Sequence, residues 1–127
     1  MQSCLDRAGA VNAAFNPLTQ TYAEQALRAA DAADAAVRGK QALGALHGVP
    51  VTIKANADLA GTATTNGVTA YRDLIAQENN PAVDNWLRAG AIVIGRTNVP
   101  AFSWRWFSDN DLHGRTRGLQ GERHGLR

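Results

Sequence analysis

A chain of 127 residues has room for one domain, and its 45% hydrophobic content is weighted towards alanine, with Leu, Ile, Val and Phe only roughly a fifth of it, near the level where packing becomes doubtful. The formal charge of +2 is too small to argue for a nucleic-acid partner by itself. The single cysteine, Cys4, excludes an internal disulfide or a cysteine-based zinc cluster; with no leader-like pattern in Met1 to Arg7 and no bilayer-length apolar stretch, the expectation is a cytoplasmic protein without a membrane partner.

Leu5, Ala8, Val11 and Phe15 recur at three- and four-residue steps and predict a helix from Cys4 to Phe15 that Asn16-Pro17 ends. Thr21 and Glu24 have the spacing of a capping box, which predicts a second helix over Tyr22 to Arg38. Its apolar stripe is Ala23, Ala26, Leu27, Ala30, Ala33 and Val37, and Gly39 is placed to cap it in the left-handed conformation.

From Leu46 to Lys54 the residues Val49, Val51 and Ile53 alternate with Pro50, Thr52 and Lys54, the period of a strand with one face towards a core. Lys54 is one of only two lysines, the other being Lys40. A lysine withdrawn from water can exist neutral and accept a proton near neutral pH, which arginine cannot do. The alternative is a strand-end lysine whose ammonium stands in solvent.

Ala55 to Thr69 is rich in Gly, Thr, Asn and Asp without a period and reads as an irregular loop. Asn80 followed by Pro81 starts a helix, Val83, Trp86 and Leu87 give its inner face, Asp84 and Arg88 are one turn apart, and Gly90 closes it. The uninterrupted run Ala91 to Gly95 predicts a strand buried on both faces of a parallel sheet. Strand, helix and strand make a β-α-β unit of an incomplete sheet, because an interior strand needs a neighbour on each side and nothing downstream supplies one. Thr97 to Phe102 reads as a turn into a short helix or extended piece, followed by the aromatic cluster Trp104, Trp106 and Phe107. The residues 118–127, Gly- and Arg-rich, are expected to form a disordered tail.

Three ordered blocks carry a resemblance: Leu46 to Lys54, Ala60 to Thr65, and Arg88 to Phe102, extended by Ser108-Asp109-Asn110 and Gly114 to Arg117. Together they resemble the opening third of an amidase signature family hydrolase, with residues 1–117 as the amidase-like portion. The resemblance implies an α/β fold, the N-terminal part of a large mixed sheet surrounded by helices. It also implies a Ser-Ser-Lys hydrolase of small-molecule amides with no metal or organic cofactor. In it the lysine matching Lys54 is general base, acting through a bridging serine on a nucleophilic serine.

Two departures stand out. Ala55 occupies a place where the family usually has Asp, and after Arg117 the Gly/Ser-rich stretch that would bear both catalytic serines does not follow. Ser3, Ser103 and Ser108 are the only serines, and none lies in a Gly-x-Ser-x-Gly elbow. A truncated or frameshifted reading frame is therefore expected, with a product inactive on amides by itself.

His47 reads as a turn residue, His113 and His124 lack metal-ligand companions, and Thr97 and Asn98 suit turn bonding better than a pocket. The aromatic cluster and the tail arginines have the ingredients of single-strand binding, but the basic excess is small, and nucleic acid is not the expected partner. The alternative function is a non-catalytic binding or self-assembly module that uses an exposed sheet edge and the aromatic cluster, giving a homo-oligomer.

Overall fold

The computed structural model describes residues 1–118. In chain order they form α1 (Gln2–Phe15), β1 (Leu18–Thr21), α2 (Ala23–Arg38), β2 (Pro50–Lys54), α3 (Pro81–Arg88) and β3 (Ile92–Thr97), with short 3-10 turns at Thr69–Tyr71 and Ala101–Ser103. The expected tail lies outside the described residues except for Gly118.

Asn16 ends α1 in the left-handed conformation, at φ 50°, which asparagine tolerates better than most residues. The stripe of α1 is only half-covered, and no residue of the helix is fully buried. The Asn12 amide fixes the chain as it leaves: its Oδ1 accepts from Leu18 N at 2.8 Å and its Nδ2 donates to Leu18 O at 3.1 Å. The chain then runs straight into β1, a strand absent from the sequence reading.

That strand overturns the capping box. Thr21 is a β1 residue opposite Gly95, α2 begins at Ala23, and its N-cap position is Tyr22 with no side-chain cap. The sheet takes the backbone that the cap would have needed. At the other end Gly39 has φ −77°, and the left-handed residue is Lys40 at φ 54°.

The sheet order is β1-β3-β2, with β1 antiparallel and β2 parallel to the central β3. The missing neighbour of β3 therefore comes from upstream in the chain. Each pairing carries a register shift, between Leu18 and Gln20 on β1 and between Val51 and Thr52 on β2. Tyr22 N donates to Ile94 O at 2.9 Å beside the irregularity. Gly95 borders the shift opposite β2 and pairs with Thr21 of β1. A Cβ there would lie 2.4 Å from Gln20 O, so only glycine lets β1 approach β3 without displacement.

The expected strand faces are corrected in part. Val49 precedes β2 and is 41% exposed, Val51 is half-buried, and Ile53 alone is fully buried, at 1%. In β3 the buried residues are Ile92, Gly95 and Arg96, whereas Val93 and Ile94 are only partly covered. Neighbouring strands pair along the edges of β3 and leave its faces to helices, and among the described residues α2 is the helix packed most closely against it.

Helix α3 starts as its sequence predicts: Asn80 Oδ1 accepts from Ala82 N at 2.9 Å and Pro81 is the first helical residue. Its inner face narrows to Val83, since Trp86 and Leu87 are exposed. The Asp84–Arg88 ion pair does not form. Asp84 Oδ1 accepts from Asn79 Nδ2 at 2.8 Å, and the Arg88 guanidinium donates to Asp84 O and to Asn85 Oδ1. Gly90, at φ +92°, turns the chain into β3 where a Cβ would lie 2.8 Å from His47 Cα. His47 is a packing residue of that turn, its Nε2 3.0 Å from Ala33 O of α2.

Leu18, Ile53, Val83, Ile92 and Val99 are the larger side chains of the core, each worth about 1.5–3 kcal/mol of burial. The exposed large hydrophobics outnumber them, from Val37 and Leu43 through Trp86 to Phe107. The thin core inferred from composition is the observed one.

Candidate functional site

Lys54 ends β2, paired in register with Thr97, the last residue of β3. The chain folds back there. Ala55 N donates to Thr97 O at 3.0 Å, Asn66 N to Ala55 O at 3.1 Å, and Phe102 N to Asn66 O at 2.9 Å. This ladder brings the turn Ala101–Ser103 over the strand ends. Lys54 Nζ then donates to Ser103 Oγ at 3.2 Å, and Asn56 Nδ2 donates to the same oxygen at 3.1 Å. Phe102 and Ser103 hold left-handed backbones, φ 51° and 61°, a conformation that costs non-glycine residues energy and is tolerated where surroundings over-determine it.

Lys54, Asn56 and Ser103 are all exposed. Lys54 is therefore not withdrawn from water among the described residues, which is the strand-end alternative with the ammonium in solvent. A nearby hollow of about 470 Å³ is lined by Gly67, Val68, Ala101, Phe102, Arg105 and Asp109 among others, and Lys54 is not in its lining. Ser103, set aside on sequence context, is the hydroxyl that meets the lysine. The only signal for this meeting was indirect. Parallel neighbours end on the same side of a sheet, so the segments following β2 and β3 must come together there.

Behind the lysine the scaffold is polar and buried. Asn98, 6% exposed, accepts from Val99 N at 2.9 Å and Asn110 Nδ2 at 2.8 Å through Oδ1. Its Nδ2 donates to Gly114 O at 2.9 Å and Thr116 Oγ1 at 3.1 Å. It is a tie between the end of β3 and the last described segment, in keeping with the turn-bonding expectation. Thr97 is half-buried beside it. His113 Nε2 lies 3.2 Å from Thr65 Oγ1, and burial lowers the imidazole pKa from its usual value.

Arg96, 1% exposed, had drawn no notice as a candidate. Its Nη1 donates to Thr62 Oγ1 at 3.0 Å, and its Nη2 has no hydrogen-bond partner among the described residues. Burial lowers its pKa, opposed by the nearby Tyr22 and Asp58; a guanidinium stays charged regardless. It pins the loop after β2 from beneath. Among the described residues no three His, Cys, Asp or Glu side chains gather as a metal site.

The amidase family profile matches residues 1–118. An indoleacetamide hydrolase of Bradyrhizobium diazoefficiens is 49% identical over 116 residues, covering 91% of this chain and 22% of its own length. An acylamidase of Rhodococcus erythropolis is 36% identical over 115 residues, with 91% of this chain and 24% of its own length covered. The crystal structure of a bacterial aryl acylamidase of the amidase signature family shares the fold, with a TM-score of 0.85 at 23% identity over 92% of this chain and 25% of that one. The chain thus belongs to the amidase family and matches the N-terminal part of its fold. It spans less than a quarter of the length of the two relatives named, 22% and 24%.

Proposed function

We propose that residues 1–117 are the lysine-bearing portion of an amide hydrolase and that Lys54 is its general base. The observation that carries this reading is the Lys54 amine at the end of β2, in register with the end of the central strand β3, on the fold that amidases share. In the proposed reaction the neutral amine takes a proton from a bridging serine as that serine takes one from a nucleophilic serine, whose oxygen attacks the amide carbonyl. The proton returns to the departing nitrogen, which leaves as ammonia or an amine. Water then adds to the acyl-serine and releases the acid, the same relay taking up its proton.

Both serines would come from a segment this sequence does not contain, since Ser3, Ser103 and Ser108 are its only serines. The chain by itself is therefore inactive on amides. The 49% identity to an indoleacetamide hydrolase favours an arylacetamide, a primary carboxamide on a flat apolar group, as the substrate class of the whole enzyme.

Ammonia release from indoleacetamide by the purified 127-residue chain is expected to match the buffer blank, and release abolished by Lys54→Ala would overturn the inactivity. A chimera tests the base: residues 1–117 replace the corresponding part of the B. diazoefficiens hydrolase. The chimera is expected to turn over and its Lys54→Ala form to lose about 10²–10⁴ in rate, the usual reach of general base catalysis. Undiminished turnover in that form would remove Lys54 from the mechanism.

A second reading rests on a specific observation, the exposure of Trp104 and Trp106 at 88% and 102%, in a chain whose sheet among the described residues ends at β1 and β2. It is a non-catalytic module that associates with itself.

A further inference from the structure

We infer that Ser103 is a positioning residue for Lys54, its hydroxyl holding the amine at the end of β2 and leaving the open side of the nitrogen to a second hydroxyl. The inference deepens the proposed role of Lys54 and rests on it.

Three observations converge on Ser103. Its Oγ lies 3.2 Å from Lys54 Nζ and 3.1 Å from Asn56 Nδ2, so one oxygen accepts from two donors on the segment that leaves β2. An oxygen with both acceptor directions filled by N–H groups is poorly prepared to attack a carbonyl and well prepared to fix the groups that donate to it. The backbone beneath it is held in the left-handed region at two successive side-chain-bearing residues, Phe102 and Ser103. That conformation is anchored by Phe102 N on Asn66 O at 2.9 Å and Ser103 N on Pro100 O at 2.8 Å. Backbone cost at a turn that delivers one hydroxyl to one amine is the pattern expected of a functional constraint.

The need for a tether follows from the amine itself. A lysine has a flexible four-carbon stem, and in solvent its nitrogen samples many positions. Among the described residues Lys54 is exposed, and it does not line the hollow beside it. One hydrogen bond to Ser103 fixes the direction of the stem while the nitrogen keeps its other substituent directions free. Asn56, on the same oxygen, fixes the hydroxyl in turn.

The chain suits a direct test because its only side-chain amines are Lys40 and Lys54. Acylation of both by a small activated ester, followed by peptide mass spectrometry from pH 7 to 11, gives the Lys54 rate relative to Lys40 within each sample. Ser103→Ala removes the acceptor that engages the amine, so the relative Lys54 rate should rise about two- to five-fold, the modest range of an exposed contact. Ser103→Asn, which keeps an acceptor oxygen and suits the left-handed backbone, should bring the ratio back towards wild type. Asn56→Ala, which frees the hydroxyl to rotate, should give a partial rise.

An unchanged ratio in Ser103→Ala at unchanged thermal midpoint would overturn the inference, as would a rise that Ser103→Asn fails to reverse at all. A lowered ratio would likewise overturn it. Lys54-dependent labelling of Ser103 by a fluorophosphonate would make Ser103 a nucleophile and equally overturn it. Acylation needs no amide turnover, so these outcomes are independent of the chimera, whose failure would instead count against Lys54 as base.

Discussion

At the scale of single residues, His113 is the titratable group with a readable consequence. Burial lowers its pKa in the folded chain, so the unfolded chain binds a proton more readily. The sign follows from linkage: the contribution is fully present above the unfolded value of about 6.5 and is lost as pH falls through the depressed folded value. The urea midpoint is expected to drop between pH 7.5 and 5, with a smaller drop in His113→Gln. Equal drops in the two proteins would remove His113 as the cause. Lys54 was legible from the sequence because a strand ending in one of two lysines is conspicuous. Arg96 was not, because an arginine after an apolar run looks like a surface residue until Tyr22, Asp58 and the Thr62 loop gather round it.

Among the elements, β1 decides the sheet and was the one not legible. Leu18-Thr19-Gln20-Thr21 is too short to show a period, and only Leu18 of the four is buried. Its polar residues suit a cap as well as a strand, and long-range pairing with β3 settles which they become. The close approach at Gly95 makes this testable. Gly95→Ala places a methyl carbon 2.4 Å from Gln20 O, a backbone atom that cannot swing away, and should cost about 1–3 kcal/mol, the range for overpacking. Hydrogen exchange should quicken at Tyr22 N, which bonds Ile94 O, while amides joining β2 to β3 stay protected. Uniform protection in both proteins would show that β1 accommodates the methyl. By contrast α3 was legible down to its first residues, since Asn80 and Pro81 act through local chemistry.

For the whole molecule, the balance of buried and exposed apolar surface is the governing fact. Phe102, Trp104, Trp106 and Phe107 are each at least half exposed, and patches of this kind rarely stay uncovered in water. Light scattering after size exclusion is expected to show a mass above that of one chain, 13.5 kDa, rising with concentration. Trp104→Ser with Trp106→Ser should return it towards one chain. A single-chain mass at every concentration would count against the self-associating reading and leave the amidase reading untouched. No helix among the described residues is long and apolar enough to cross a membrane, so the patch is not part of such a span.

The sequence by itself determined what local chemistry controls: three helices, the two strands of the β-α-β unit, a core poor in large side chains, and ordered blocks specific enough to name the family. Tertiary structure decided the order β1-β3-β2, the shift of Thr21 from cap to strand, the burial of Arg96 and the meeting of Lys54 with Ser103. Caps, turns and periodicity act within a few residues and leave a pattern in the string. Pairings across tens of residues depend on which backbone groups remain unsatisfied once those elements have formed, and only the folded chain answers that.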